Sequence, residues 1–154
     1  MARPGRLRVL VRDDRAFRRA AEPGRMTEAV SDEIEKLLTG PPEVGYFATS
    51  ADGRPHVAPL WFRYEDGTVE VMTTGRKLTN VRENPRVSLA VQSGDASDPD
   101  WTVTLLGTAE VVEDEAANRR ANRRINARYG VEDDAWSGNT LVRIDVGSAS
   151  VRTY

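Results

Sequence analysis

Most of the chain alternates apolar with polar residues at a period of two, the signature of strands buried on one face. Residues 44–50 read this way and are followed by Asp52-Gly53, a pair that accepts the positive backbone angles of a tight hairpin. Residues 56–64 then form one predicted strand with Ala58, Leu60, Phe62 and Tyr64 on a common face. Pro59 lies inside it, and a residue with no N–H to donate belongs on a sheet edge or at a bulge. Asp66-Gly67 repeats the hairpin device and leads into Val69 and Val71. Val87, Leu89 and Val91 mark another strand, and residues 93–99 a loop rich in Gly, Asp and Ser. Residues 101–112 are long for one strand, so Gly107 is expected to bend or bulge it. Residues 140–146 and 149–153 close the chain as two further strands.

Three stretches follow the helical period instead. Val30, Ile34, Leu37 and Leu38 form one stripe, with Thr27 or Ser31 to cap its start and Gly40-Pro41-Pro42 to stop it. Leu78 and Val81 mark a short helix that Asn84-Pro85 ends, because the residue before proline is pushed out of the helical region. Ala117, Ala121, Ile125 and Tyr129 stripe a third helix, with carboxylates at residues 113–115 where the dipole favours them and Gly130 as a stop. So thin an apolar face predicts shallow packing on the barrel or against a second subunit. Hairpins first, then strand, helix and strand, predict a mainly β protein: an antiparallel barrel with about three peripheral helices, not an alternating parallel sheet.

Composition narrows the chemistry. A length of 154 residues suits one domain with a real core. No apolar run approaches membrane-spanning length, which sets the expectation of a cytoplasmic protein without a membrane partner. Having no cysteine removes disulfides, thiolate catalysis and sulfur-ligated metals together, and the single histidine, His56, argues against a dedicated protein metal site. Catalytic triads lack ingredients for the same reasons. Charge divides the chain: eight arginines in residues 1–25 give that segment a net +5, while the remainder carries a net −7. Residues 1–26 are therefore expected to be a basic, flexible extension, with Met26 as a possible initiator, and residues 27–154 the domain. A basic arm for nucleic acid is the alternative, against which the acidic body offers no continuing basic surface.

The stretch from Val71 to Arg86 is where chemistry concentrates. A strand ends in Thr73-Thr74-Gly75, a helix begins at once, and Arg76 and Lys77 stand in its first turn, so hydroxyls, basic groups and unpaired helical N–H groups converge on one point. Lysine is scarce here: Lys36 and Lys77 stand against twenty arginines. The stretch reads as an anion seat, although basic residues beside an ordinary solvated turn would look alike.

Arg76-Lys77, six residues and Asn84-Pro85, after a threonine-bearing strand end, resembles the phosphate-binding segment of the pyridoxamine 5'-phosphate oxidase-like, FMN-binding split-barrel flavoproteins. Residues 52–62 look like the second strand of that family, and residues 84–91 and 100–110 continue a likeness that covers roughly 28–153. The resemblance implies an antiparallel split β-barrel that holds a flavin-type cofactor. The cofactor phosphate would lie at Thr73, Thr74, Arg76 and Lys77, with Asn80 in the same segment, and its ring along Leu60 and Trp61. It further implies a homodimer in which a partner strand closes the site, with Trp101 as a wall, and an oxidoreductase that passes hydride to a small organic substrate. Two departures bear on the cofactor. The flavin mononucleotide (FMN) oxidases of this family add an arginine and a lysine from the preceding strand, which here reads His56-Val57-Ala58-Pro59-Leu60-Trp61. The chain also ends at Tyr154, without the C-terminal substrate section of the true pyridoxamine phosphate oxidases. Both features look more like the branch that uses the deazaflavin coenzyme F-420, with FMN close behind and a non-catalytic flavin- or haem-binding module as the alternative.

Overall fold

A computed structural model describes the backbone of residues 6–10 and all of residues 29–154. Eight strands make one antiparallel sheet: β1 (Arg6–Leu10), β2 (Gly45–Ala51), β3 (Arg54–Leu60), β4 (Phe62–Glu65), β5 (Thr68–Thr73), β6 (Arg86–Asp95), β7 (Asp98–Val112) and β8 (Thr140–Thr153). Among the described residues three helices, α1 (Asp32–Thr39), α2 (Gly75–Glu83) and α3 (Glu115–Tyr129), lie between them. This is the expected split barrel. Its strand order is β3-β2-β6-β7-β8-β5-β4, with β1 added alongside the last part of β8, where Arg6 pairs with Thr153 and Leu10 with Ala149. The expected domain boundary at Met26 lies outside the described residues.

The strand predicted over residues 56–64 is two strands. β3 and β4 stand at opposite ends of the strand order, yet Trp61 alone separates them in the chain. One residue spans only about 3.8 Å between neighbouring Cα atoms, so the two edges must come together and the sheet must curl. The seam carries no ladder, and Pro59 lies on the edge strand its chemistry requires. In place of a ladder, the Phe62 N–H donates to the Tyr129 hydroxyl (3.2 Å), which donates to the Glu43 carbonyl (2.7 Å).

Both hairpin turns form as predicted, with positive φ at Asp52, Gly53, Asp66 and Gly67. Gly107 marks the predicted irregularity: the β7–β8 register shifts between Leu106 and Gly107, and a Cβ there would collide with the Asp145 carbonyl oxygen and sit 2.8 Å from the Ile144 side chain. Two further sequence expectations need correction. Residues 140–153 are one strand that steps over Gly147 at that same irregularity, because β7 pairs along nearly its whole length. Residues 93–99 are mostly ladder, not loop: β6 and β7 pair out to Asp95 and Asp98 through a shift at Ser93 and Gly94.

The inner faces supply a core of Phe47, Leu89, Val103, Leu105, Val142 and Val71, closed by Ile34 and Leu38 of α1 and by Leu78 and Val81 of α2. Ser31 caps α1 by accepting from the Ile34 N–H, as expected. The thin stripe of α3 packs on the outside of the barrel, where Ala117, Ala121 and Ile125 meet Met72 and Leu141.

Candidate functional site

Between the seam, the β5–α2 junction and α3 lies a cavity of about 450 Å³, within the size range of small-molecule sites. Leu60, Trp61, Thr73, Thr74 and Lys77 line it together. Arg76, in the first turn of α2, is exposed and is not among the lining residues. Asn80 is buried and donates from Nδ2 to Thr49 Oγ1 at 3.1 Å, which ties α2 to β2. Trp101 packs against the barrel core beside Ser93 and Thr153, so it can reach the cavity only if a second copy brings it there. Residues 93–99 do not line the cavity, whereas Trp136 and Asn139, between α3 and β8, do.

The anion seat has a physical basis beyond its residue types. Helices α1 and α3 satisfy their own N-termini, with caps from Ser31 and Asp114 and carboxylates in their first turns. Helix α2 does neither. Thr74 at its N-cap makes no side-chain cap bond, no acidic residue occupies the first turn, and Gly75 adopts φ +64° where strand turns into helix. Its leading N–H groups and dipole end thus remain available to an exogenous anion. Thr73 stands beside them, 2% exposed, and its Oγ1 is buried without a hydrogen-bond partner. A buried polar group ordinarily finds a partner, and leaving one unmade costs about 1–3 kcal/mol. Lys77 lines the same space and makes no ion pair among the described residues. Among the described residues it is also the one charged side chain lining the cavity.

The rest of the lining is apolar or amide. Trp61 stacks on Tyr129, rings 4.8 Å apart and 8° from parallel, and meets Trp136 edge-on at 6.4 Å. Burial raises Tyr129 above the ordinary tyrosine pKa, opposed by its bonds to Phe62 and Arg128, so its hydroxyl is a donor at neutral pH. Asn122 and Asn126 also line the cavity and were missed by sequence reasoning. Their signal was available: two asparagines four apart in mid-helix are poor helix formers, which suggests a duty for the side chains. Trp136, a lone tryptophan in a polar loop, was missed as well. His56 pairs across to Thr49 on β2 and does not line the cavity. Among the described residues no group of His, Asp and Glu could hold a metal, and no helix is long and apolar enough to cross a membrane.

A neighbouring polar hollow shares Met72 and Asn122 with this cavity, and its charges are partnered, Glu113 by Arg82 and Glu115 by Arg119. The main cavity is therefore the one with unanswered binding groups.

Solved structures share this architecture. A conserved hypothetical protein from Mycobacterium tuberculosis is 27% identical, with TM-score 0.65, over 82% of this chain and 88% of its own. An F-420 reductase is 24% identical with TM-score 0.62, over 74% of this chain and 94% of its own. An FAD-binding protein from Mesorhizobium loti has the same identity and TM-score, over 78% and 91%. Comparison with curated proteins found no match. The family model described as pyridoxamine 5'-phosphate oxidase matches residues 30–150. With that match spanning most of the chain and the barrel in place, the protein belongs to the pyridoxamine 5'-phosphate oxidase family.

Proposed function

We propose that this protein is an oxidoreductase that binds a flavin-type cofactor, coenzyme F-420 in preference to FMN, and passes hydride to a small organic substrate. The observation that carries the reading is the unpartnered Thr73 hydroxyl beside the uncapped start of α2 and Lys77. A phosphate there would satisfy all three at once: the hydroxyls of Thr73 and Thr74 and the leading N–H groups of α2 donate to its oxygens, and Lys77 supplies charge-assisted bonds. Arg76, from the exposed side of the same turn, would add long-range attraction. Leu60 and Trp61 offer apolar contact to a ring, and the open backbone of the seam offers donors and acceptors. Such a cofactor supplies the hydride chemistry, while the chain binds, orients and excludes water. F-420 is preferred over FMN because β3 presents no arginine or lysine from His56 to Leu60 to add to the seat.

A homodimer with cofactor sites at its interface belongs to the same reading. The outer face of β3, β2, β6 and β7 is uncharged along two cross-strand rows, Val57-Ala48-Ser88-Leu106 and Pro59-Tyr46-Ala90-Thr104. Val57, Tyr46 and Leu106 are exposed there by 64, 49 and 55%. The face over β4, β5 and β8 instead carries the ladder Arg63-Glu70-Arg143, linked at 3.1 Å on each side. Pro59 lies both on the uncharged face and in the cavity wall, so a second subunit seated there would close the cavity and could bring its Trp101 near. The partners in this reading are a second copy and a small molecule, in the cytoplasm, with no nucleic acid.

The visible spectrum of the purified protein, before and after titration with F-420, FMN and haem, separates the cofactors and the non-catalytic alternative. Lys77→Ala should weaken cofactor binding by about one to two orders of magnitude, the worth of one charge-assisted bond. Arg76→Ala should weaken it less, and the double variant should nearly abolish it. Unaltered affinity in a folded double variant would remove the phosphate from this turn and the reading with it.

A further inference from the structure

The loop from Gly130 to Asn139 is fastened to α3 from within. Asn122 and Asn126, both buried and one turn apart, donate from their Nδ2 atoms to backbone carbonyls of this loop, Asn122 to Ala135 at 2.9 Å and Asn126 to Ala135 at 2.8 Å and Glu132 at 3.0 Å. Turn bonds continue the order toward β8: Ala135 N–H to Glu132, Ser137 N–H to Asp134, and Asn139 N–H to Trp136. At the tip of this secured loop Trp136 is 64% exposed and has φ +59°, a region that bulky side chains seldom occupy. Burial does not hold it there. Backbone strain of this kind gathers at ligand-binding positions, where it places a side chain that the ligand needs.

The position of the indole indicates the ligand. Trp61 is braced from behind by the parallel ring of Tyr129, and Trp136 meets it at 88°, so the two indoles form a corner at the cavity wall. We propose that Trp136 is a specificity-determining residue, and that this corner receives a planar, uncharged ring of the substrate; the assignment rests on the reading that the cofactor ring lies along Leu60 and Trp61. A flat ring can lie offset over one indole while its edge meets the face of the other, the two arrangements that aromatic quadrupoles favour. A saturated ring is puckered and loses both contacts. An anionic ring would compete for Lys77, the one charged lining group among the described residues, or be desolvated without a partner.

The test uses the full-length protein, loaded with whichever of F-420 or FMN it binds, and calorimetric titration with 2-naphthol, decahydro-2-naphthol and 2-naphthoate. Cofactor affinity is measured separately for each variant. The wild-type protein should bind 2-naphthol about tenfold or more tightly than its saturated and anionic counterparts, and Trp136→Gly should lose that margin. Trp136→Phe, which restores a ring, should recover most of it, and the loss of naphthol affinity in Trp136→Gly should exceed any loss of cofactor affinity by about fivefold or more, because the phosphate contacts are untouched. Equal binding of the three probes by the wild-type protein overturns the proposal. So does a preference that survives in Trp136→Gly, or a loss of cofactor affinity that matches the loss of naphthol, which would make Trp136 a wall for the cofactor. If the protein binds neither cofactor while naphthol preference still follows Trp136, the cofactor reading falls and the ring site stands.

Discussion

Thr73 carries the atom on which the proposed binding site depends most. Its side chain lies on the core-facing side of β5, sealed from solvent, with Oγ1 unpaired. Valine has nearly the same shape and no hydroxyl. Thr73→Val should therefore leave the cofactor-free protein equally stable or more stable by about 1 kcal/mol, and weaken cofactor binding by about five- to tenfold, the worth of a neutral hydrogen bond. Thermal unfolding with and without cofactor reads both effects. A destabilised variant with full affinity would mean that the hydroxyl serves the fold, and the seat would lose its best evidence. At this scale the sequence was informative wherever residue type alone sets behaviour: Thr73, Thr74 and Lys77 were legible as a cluster because they are contiguous. Asn80, in the same run, proved to be turned toward Thr49, since a helix advances about 100° per residue and distributes neighbours around its axis.

Among the elements, α3 carries the most consequence for the site. Its apolar stripe seats it over Met72 and Leu141, its asparagines hold the Trp136 loop, and its last residue, Tyr129, bridges the seam. Tyr129→Phe keeps the stack on Trp61 and removes the bridge. It leaves the Phe62 N–H and the Glu43 carbonyl short of a partner, so a loss of about 1–3 kcal/mol is expected from denaturant unfolding. The pH dependence has a defined sign. Burial raises Tyr129 above its ordinary 10.0, so the folded protein keeps a proton that the unfolded chain releases. That contribution is fully present below about pH 10 and is lost as pH rises through the folded value. Tyr64 is raised by burial too and adds in the same direction. Tyr129→Phe should accordingly show a shallower alkaline decline than the parent, though not a flat one. An identical slope would show that Tyr129 ionises as freely in the folded protein as in the unfolded chain.

The molecule as a whole is governed by the closure at Trp61. A sheet with edges one residue apart is almost a barrel, and among the described residues the gap that remains leaves β3 and β4 unpaired with each other. The uncharged outer face beside the gap suggests what completes it. Light scattering with the cofactor bound should give twice the chain mass at micromolar concentration, and Tyr46→Arg with Leu106→Arg should return the monomer and weaken cofactor binding together. A monomer that binds cofactor at full strength would sink the interface reading. The leading segment poses a separate question, since Arg6–Leu10 pairs with β8 while the core and cavity described above are built from residues 29–151. A chain lacking residues 1–25 is expected to fold and bind cofactor, with a lower melting temperature from the exposed edge of β8. Collapse of the shortened chain would place the segment inside the domain.

Local rules determined a great deal here. The Asp-Gly turns, the Ser31 cap, the Gly107 irregularity and the edge placement of Pro59 all follow from backbone chemistry that acts within a few residues, and all were legible in the sequence by itself. The antiparallel barrel and three helices followed from period and order for the same reason. What the pattern could not show was the break at Trp61, because residues 56–64 keep one alternation while the chain passes from one sheet edge to the other. Nor could it show that residues 140–153 run as one strand, which β7 imposes from across the sheet. The cavity itself is a tertiary object: residues from the 59–61 seam, the 72–77 turn and the 122–139 helix and loop meet only when the sheet curls. Burial left Thr73 without a partner and strain set Trp136 at the mouth, and both depend on neighbours that lie far away in the chain.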